Sequence, residues 1–214
     1  MVETIAVVGG TGNLGAAIAR RLAKAGHPVI IGSRSAESAE RAAAELGFGL
    51  TGQSNAEAAQ AADIVIITVP FAAQDATLAD IAPYCAGKIV VDTTVPLVPP
   101  KVMRVQLPAE GSAAQRTQDR LGEGVTVVSA FHNVAAHKLA TDLDVDCDVL
   151  VFGDDKSARE KIVQLSEAMD LRAFHAGALC NSAAAEALTS ILIFINKNYD
   201  VGNAAGIRLT GPSS

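Results

Sequence analysis

Short apolar runs and amphipathic stretches alternate along most of this chain. The runs Ile5 to Val8, Pro28 to Ile31, Asp63 to Val69, Lys88 to Thr94, Val125 to Ala130 and Asp148 to Phe152 are strand-sized, and their nearly continuous apolar character predicts strands buried on both faces. Between them the spacing predicts helices from about Asn13 through Ala25 and over Ala36 to Leu46, Ser54 to Ala62, Phe71 to Ala82 and Ser112 to Leu121. A helix from about Lys156 to Met169, a strand around Arg172 to His175 and a long helix from Ser182 to about Tyr199 follow. Strands alternating with helices predict an α/β fold, doubly wound around a mainly parallel sheet. The rhythm breaks at the proline-rich Pro96 to Pro100 with Pro108, and again at Phe131 to Ala136, which reads as irregular. No linker composition divides the chain. A soft boundary near Gly153 separates residues 1–153 from a small C-terminal α-rich domain, 154–214.

Composition sharpens this picture without changing it. Half of the 214 residues are hydrophobic but only 4% are aromatic, with no Trp, so the core must be built from Ala, Val, Ile and Leu. That suits helices packed on a parallel sheet. Seventeen Lys and Arg against 23 Asp and Glu give a formal charge of −6, which argues against a nucleic-acid partner held by phosphate contacts. Cys85, Cys147 and Cys180 have neither C-x-x-C spacing nor a neighbouring His at zinc-ligand intervals, so no metal site is expected, and they fit buried, reduced thiols in a cytoplasmic protein. The N-terminus enters a strand without a signal-peptide pattern, and Ala183 to Ile195 is shorter than the ~20 apolar residues of a membrane span, so no membrane association is expected.

The first strand runs into Gly10-Thr-Gly-Asn-Leu-Gly15, a G-x-G-x-x-G at the point where a helix begins. Gly10 is expected to permit the tight turn, Gly12 to let backbone approach a pyrophosphate, and Gly15 to let helix and strand pack closely. Asn13 and Leu14 then open the helix, whose N-terminus offers unpaired N–H groups to phosphate. A strand, this loop, a helix and a second strand make a Rossmann-type dinucleotide-binding unit.

The end of the second strand selects the cofactor. An NAD site places Asp or Glu there for the ribose 2′-hydroxyl, and such a carboxylate repels a 2′-phosphate. This chain has Gly32-Ser33-Arg34-Ser35 instead, so Arg34 supplies a guanidinium fork and Ser33 a hydroxyl suited to the phosphate of NADP. Thr11 adds a second hydroxyl. A compatible reading makes Ser33 or Ser35 the cap of the next helix with Arg34 solvated. Thr68, Val69 and Pro70, at the end of the next strand, should border the path from adenosine to nicotinamide; Phe71 either offers a ring face there or packs in the core.

Of the four histidines, His132 follows a strand carboxyl end directly and is best placed to meet a substrate, as an orienting group more than as an acid or base. No G-x-S-x-G or H-E-x-x-H pattern occurs. Hydride transfer does not need a strong acid when the acceptor delocalises the incoming charge, so the missing proton donor hints at a cofactor-like acceptor.

Five segments together, Gly9 to Gly15, Gly32-Ser-Arg34, Val128-Ser-Ala-Phe-His-Asn-Val134, Val151-Phe-Gly-Asp-Asp155 and Asn181 through Glu186-Ala-Leu-Thr189, resemble in order and spacing the NADPH-dependent coenzyme F420 reductases. The resemblance implies an oxidoreductase passing a hydride reversibly between C4 of the nicotinamide of NADP(H) and C5 of the deazaflavin coenzyme F420, a co-substrate stacked on it between a Rossmann domain and a small C-terminal domain. It implies that Thr11, Ser33 and Arg34 hold the 2′-phosphate, that His132 and Val134 line the deazaflavin pocket, and that Leu179 and the start of the last helix close it. Lys101, Arg104, Lys138 and Arg208 are the cations available for an anionic acceptor tail. A homodimer is expected, because the apolar last helix exceeds what one small domain covers. Two other readings stay open: an NADPH-dependent reductase of a flavin, metal complex or small carbonyl compound on the same scaffold, and a non-enzymatic NADP-binding sensor.

Overall fold

The computed structural model describes residues 2–211. Eight strands and eight α-helices succeed one another as β1 (Ile5–Val8), α1 (Asn13–Lys24), β2 (Val29–Ser33), α2 (Ala36–Leu46), β3 (Thr51–Ser54), α3 (Asn55–Ala61), β4 (Ile64–Ile67), α4 (Phe71–Ile81), β5 (Ile89–Asp92), α5 (Ala113–Leu121), β6 (Thr126–Ser129), α6 (Ala136–Leu139), β7 (Val149–Gly153), α7 (Lys156–Ala168), β8 (Ala173–His175) and α8 (Ser182–Asn198). They form one sheet of order β3-β2-β1-β4-β5-β6-β7-β8. All pairings are parallel except β6 with β7. Chain order reverses between β1 and β4, which opens a crevice at their carboxyl ends where ligands of such sheets bind.

Both faces of the sheet are covered, which explains the continuous apolar runs. Ile5 and Val7 of β1 face α1 and one core cluster, whereas Ala6 meets Ala58 and Ala62, and Val8 joins a second cluster with Leu78 and Ile81 of α4. Alanine supplies much of the contact surface, and backbones approach closely: a Cβ on Gly52 of β3 would collide with the backbone of Ala39 and Glu40 in α2. Sequence pattern does not announce β3, because Thr51-Gly-Gln-Ser54 is polar and only partly covered as an edge strand. Between Asp92 and Ala113 there is neither helix nor strand, consistent with the prolines.

The chain beyond Gly153 continues the same architecture. β7 pairs with β6 through only two register positions, Val128 with Gly153 and Ser129 with Phe152. Because Ser129 ends β6, the rest of β7 extends past the carboxyl edge beside residues 130–132. β8 adds to it in parallel, and Ile162, Leu165 and Met169 around α7 belong to the same core cluster as Ile5 and Ile18. Leu179–Asn198 is a 20-residue helical stretch of mean hydropathy 1.4, long and apolar enough to span a membrane, with 33% of its most apolar window buried in the fold. Its polar side chains Glu186, Thr189 and Ser190 all bond to the rest of the chain.

Candidate functional site

The turn after β1 divides its requirements among four glycines. The left-handed backbone falls on Gly9 (φ +75°), where a Cβ would also stand 2.6 Å from Val69 Cγ1. Gly10, expected to provide the turn, is needed for a different reason: a Cβ there would lie 2.6 Å from Val7 O, while its N–H reaches Gly32 O at 3.0 Å. Gly12 is open, and a Cβ would meet only Gly9 O at 3.5 Å. Gly15 is closed, since a Cβ would collide with Thr68 Oγ1 and sit 2.7 Å from Gly10 Cα. Helix α1 therefore packs tightly against the end of β4. Its first turn, with Asn13 and Leu14, has no side-chain cap and no acidic residue. Its positive end is left bare for an anion.

A cleft of about 260 Å³ opens in front of this loop. Thr11, Gly12, Ser33, Arg34, Thr68, Val69 and Pro70 line it, so these predicted positions converge on one surface, with Gly10, Asn13, Leu14 and Gly15 forming the loop and helix start behind it. Ser35 caps α2, accepting from Ser38 N–H at 3.3 Å. Ser33 and Arg34 are thereby spared that duty, and Arg34 is exposed with no ion pair or side-chain hydrogen bond among the described residues. Phe71 is half-buried, and the guanidinium of Arg116 lies 4.6 Å from its ring centroid.

Asn55 is the cleft residue that the sequence did not mark. It is buried at the start of α3, its Oδ1 accepts from Gly9 N–H at 3.3 Å, and it is the atom nearest a Cβ built on Gly32. Read linearly, it is only the first helical residue inside the capping box Ser54–Glu57. Its role depends on β2 and β1 being neighbours.

The loop after β6 is built differently. His132 is buried, its Nε2 is 2.8 Å from Ser129 Oγ, and its ring is 6.4 Å from that of Phe152 on β7. Burial drives its pKa down to about 4, so the imidazole is neutral in neutral solution. Asn133 Nδ2 donates to Ala185 O (2.9 Å) and Thr189 Oγ1 (3.0 Å) of α8, and Thr189 Oγ1 reaches His132 O at 3.0 Å. Val134 is buried beside them. Leu179 is buried elsewhere, in the cluster with Leu78 and Ala114, with its N–H on Asp154 Oδ1 at 3.0 Å.

Two carboxylates lie under this region. Glu186 of α8 accepts from the N–H groups of Ala113 (2.7 Å) and Ala114 (3.1 Å), the first turn of α5. Asp92, at the end of β5, accepts from Thr94 N–H (2.6 Å), Gln74 Nε2 (2.9 Å) and Thr117 Oγ1. Burial raises both carboxyls above the usual range; for Glu186 it outweighs the two N–H bonds, is reinforced by Asp92, and brings the group to about 7. A strand-end Asp is common and a helical Glu more so, which is why neither stood out in the sequence.

The four candidate tail cations do not form one free patch. Arg208 pairs with Asp146 at 2.8 Å, and Lys138 shares a pocket with Asp144 and Asp146. Cys85 and Cys147 are buried as expected, but Cys180 is exposed at the 3-10 turn Leu179–Asn181. Among the described residues no group of three or more His, Cys, Asp or Glu is arranged to hold a metal.

Residues 4–96 match the family described as NADP oxidoreductase coenzyme F420-dependent. The chain is 41% identical to the F420-dependent NADP reductase of Methanothermobacter thermautotrophicus, covering 98% of this chain and 96% of that one. It is 39% identical to the reductase of the same name from Methanocaldococcus jannaschii, over 96% and 97% of the two chains. A solved structure of a putative F420 dependent NADP-reductase from Arthrobacter sp. FB24 superposes with a TM-score of 0.75 at 27% identity, covering 90% of this chain and 93% of that one.

Proposed function

The chain belongs to the family of coenzyme F420-dependent NADP oxidoreductases, and we propose that it passes a hydride reversibly between NADP(H) and the deazaflavin F420. The observation that carries the NADP half is Arg34, exposed and uncommitted at the rim of the glycine-loop cleft with Ser33 and Thr11 beside it. The residues fit the cofactor: Gly12 leaves room where a side chain would stand, and α1 presents an uncapped N-terminus with no acidic residue in its first turn. Gly10, Gly12, Asn13, Leu14 and Gly15 carry the pyrophosphate, and Arg34 with Ser33 and Thr11 selects the 2′-phosphate. Thr68, Val69 and Pro70 guide the chain of the cofactor toward the acceptor.

When bound, the two cofactors supply all the redox chemistry, nicotinamide C4 and deazaflavin C5 exchanging the hydride. The protein aligns them, since such transfers need reacting atoms roughly 3 to 3.5 Å apart and shielded from water. His132, neutral and hydrogen-bonded to Ser129, shapes the acceptor pocket with Val134 and moves no proton in this reading. The start of α8 closes the far side, with Leu179 packed behind it in the core. Ile191 and Phe194 are 47% and 48% exposed on α8, and we assign that apolar face to a homodimer contact of a cytoplasmic enzyme.

Purified protein mixed with NADPH and F420 tests the assignment. Loss of the deazaflavin's visible absorbance at the rate of NADPH oxidation is the expected result. Turnover with free flavin but not with F420 replaces the acceptor, and tight NADPH binding without turnover on any acceptor turns the protein into a sensor.

A further inference from the structure

The first two turns of α8 touch both the loop after β6 and the first turn of α5. Thr189 and Ala185 hold Asn133 and the His132 carbonyl, and between them Glu186 turns the other way, onto the first turn of α5. The chain of contacts continues without a gap. The Ala113 peptide donates to Glu186 through its N–H, and its carbonyl lies 3.0 Å from Gln74 Nε2, which also reaches Asp92. Asp92 in turn holds Thr94 N–H just past the end of β5.

We propose that Glu186 is a positioning residue for the acceptor side of the site, latching α8 to α5 and β5 so that Thr189 holds the loop 131–134 in register with the cofactor cleft. The latch holds its carboxylate without a cation. Among the described residues no Lys or Arg meets Glu186: on α5, Arg116 is committed to Glu110 and Asp75, and Arg120 to Asp75, at the surface. Asp119 points to Gln115 in the exposed part of that helix, and Cys180 precedes α8 exposed. His132 is uncharged, so Asp92 is the charged group whose field reaches Glu186. The compensation comes from two N–H dipoles and the positive end of α5. Gln74 Oε1 is buried in the same network without a hydrogen-bond partner among the described residues. Burial costs the ionised carboxylate more than the two N–H bonds return, so the latch weakens as pH climbs through about 7.

This inference rests on the deazaflavin reading for its kinetic test, and the two fail differently. With wild-type turnover established, Glu186→Ala should raise the KM for F420 about five- to tenfold while kcat and the dissociation constant of NADPH move less than about twofold. Glu186→Gln, which keeps one acceptor and no charge, should recover part of that loss, and the rise in wild-type F420 KM as pH climbs through about 7 should be absent from Glu186→Gln. Unchanged F420 KM and an unchanged pH profile in both variants overturn the latch. If the wild type turns over no F420, hydrogen exchange decides: Glu186→Gln must speed exchange at residues 131–134 and leave residues 9–15 as they were. Equal exchange in wild type and variant overturns the proposal, as does uniform loosening of both segments. Should Glu186→Ala fail to accumulate as folded protein, Glu186→Gln carries the same comparisons.

Discussion

The rim of the glycine-loop cleft and the loop after β6 are opposite solutions to holding a ligand. At the rim, Thr11, Gly12, Arg34 and Pro70 are exposed, and Arg34 has no side-chain partner among the described residues. In the loop, His132, Asn133 and Val134 are buried, and the first two are bonded to Ser129 and to α8. A region that recognises a charged group must keep its donors free until the ligand arrives. A region that only has to be flat and correctly placed can spend its polar groups on itself. Selection and placement are thus separated in space.

The largest effect should come from breaking what ties the two regions together. Arg21 of α1 is buried, and its guanidinium donates to the carbonyls of Leu139 (2.8 Å), Met169 (2.7 Å), Thr141 (2.7 Å) and Leu143 (2.8 Å), binding the cofactor helix to the segment that follows the loop. Hydrogen bonds from a charged donor contribute ~1.5–3 kcal/mol each and these acceptors have no substitute, so Arg21→Ala should lower unfolding stability by about 3 kcal/mol or more. A loss below about 1 kcal/mol in denaturant titration would show that the two regions do not depend on this clasp.

A somewhat smaller effect separates them by pH. The folded pKa of His132, about 4, lies below its unfolded value near 6.5, so between those limits the unfolded chain binds the extra proton. Stability from this group is complete above pH 6.5 and is lost as pH falls toward 4, by about 3 kcal/mol at most. Glu186 acts in the opposite direction, its raised pKa costing stability as pH climbs from about 4.5 to 7. Asp92, raised by burial as well, adds to the Glu186 side, so the melting temperature of the wild type should change less across the shared window than His132 alone would make it. His132→Gln should expose a decline with rising pH there, and a profile superimposable on wild type would remove His132 from the balance.

The cofactor edge should give the third effect without touching the fold. Arg34→Ala should weaken NADPH by about 1.5 to 3 kcal/mol, leave NADH nearly as before and leave stability within ~0.5 kcal/mol. Titration with both nucleotides decides it, and equal losses would take Arg34 out of the phosphate site.

Much of the rim was legible because its requirements are local. Gly12, Gly15, Ser33 and Arg34 do their work within a few residues of where a strand ends or a helix begins, and β1, β4 and α2 fall within a residue or so of their apolar patterns. What escaped was set by neighbours distant in the chain. The positive φ falls on Gly9 because Val69 and Thr68 crowd it, and Asn55 matters because β2 lies beside β1. The edge strand β3 has no apolar signal, and nothing local to β7 shows that it runs against β6. Glu186 lies in a motif that pointed to the family, yet its partners are 72 and 73 residues away.

Arg34 standing alone in water has a consequence for the cell's chemistry. A charge contact at an exposed rim is screened by dissolved ions over a Debye length of about 10 Å at 0.1 M salt, whereas the buried contacts of the loop are hardly affected. The preference for NADPH over NADH should therefore narrow as ionic strength rises, while the fit of the acceptor stays constant. How strictly this protein keeps one nicotinamide pool apart from the other becomes a property of the solution around it as well as of its sequence.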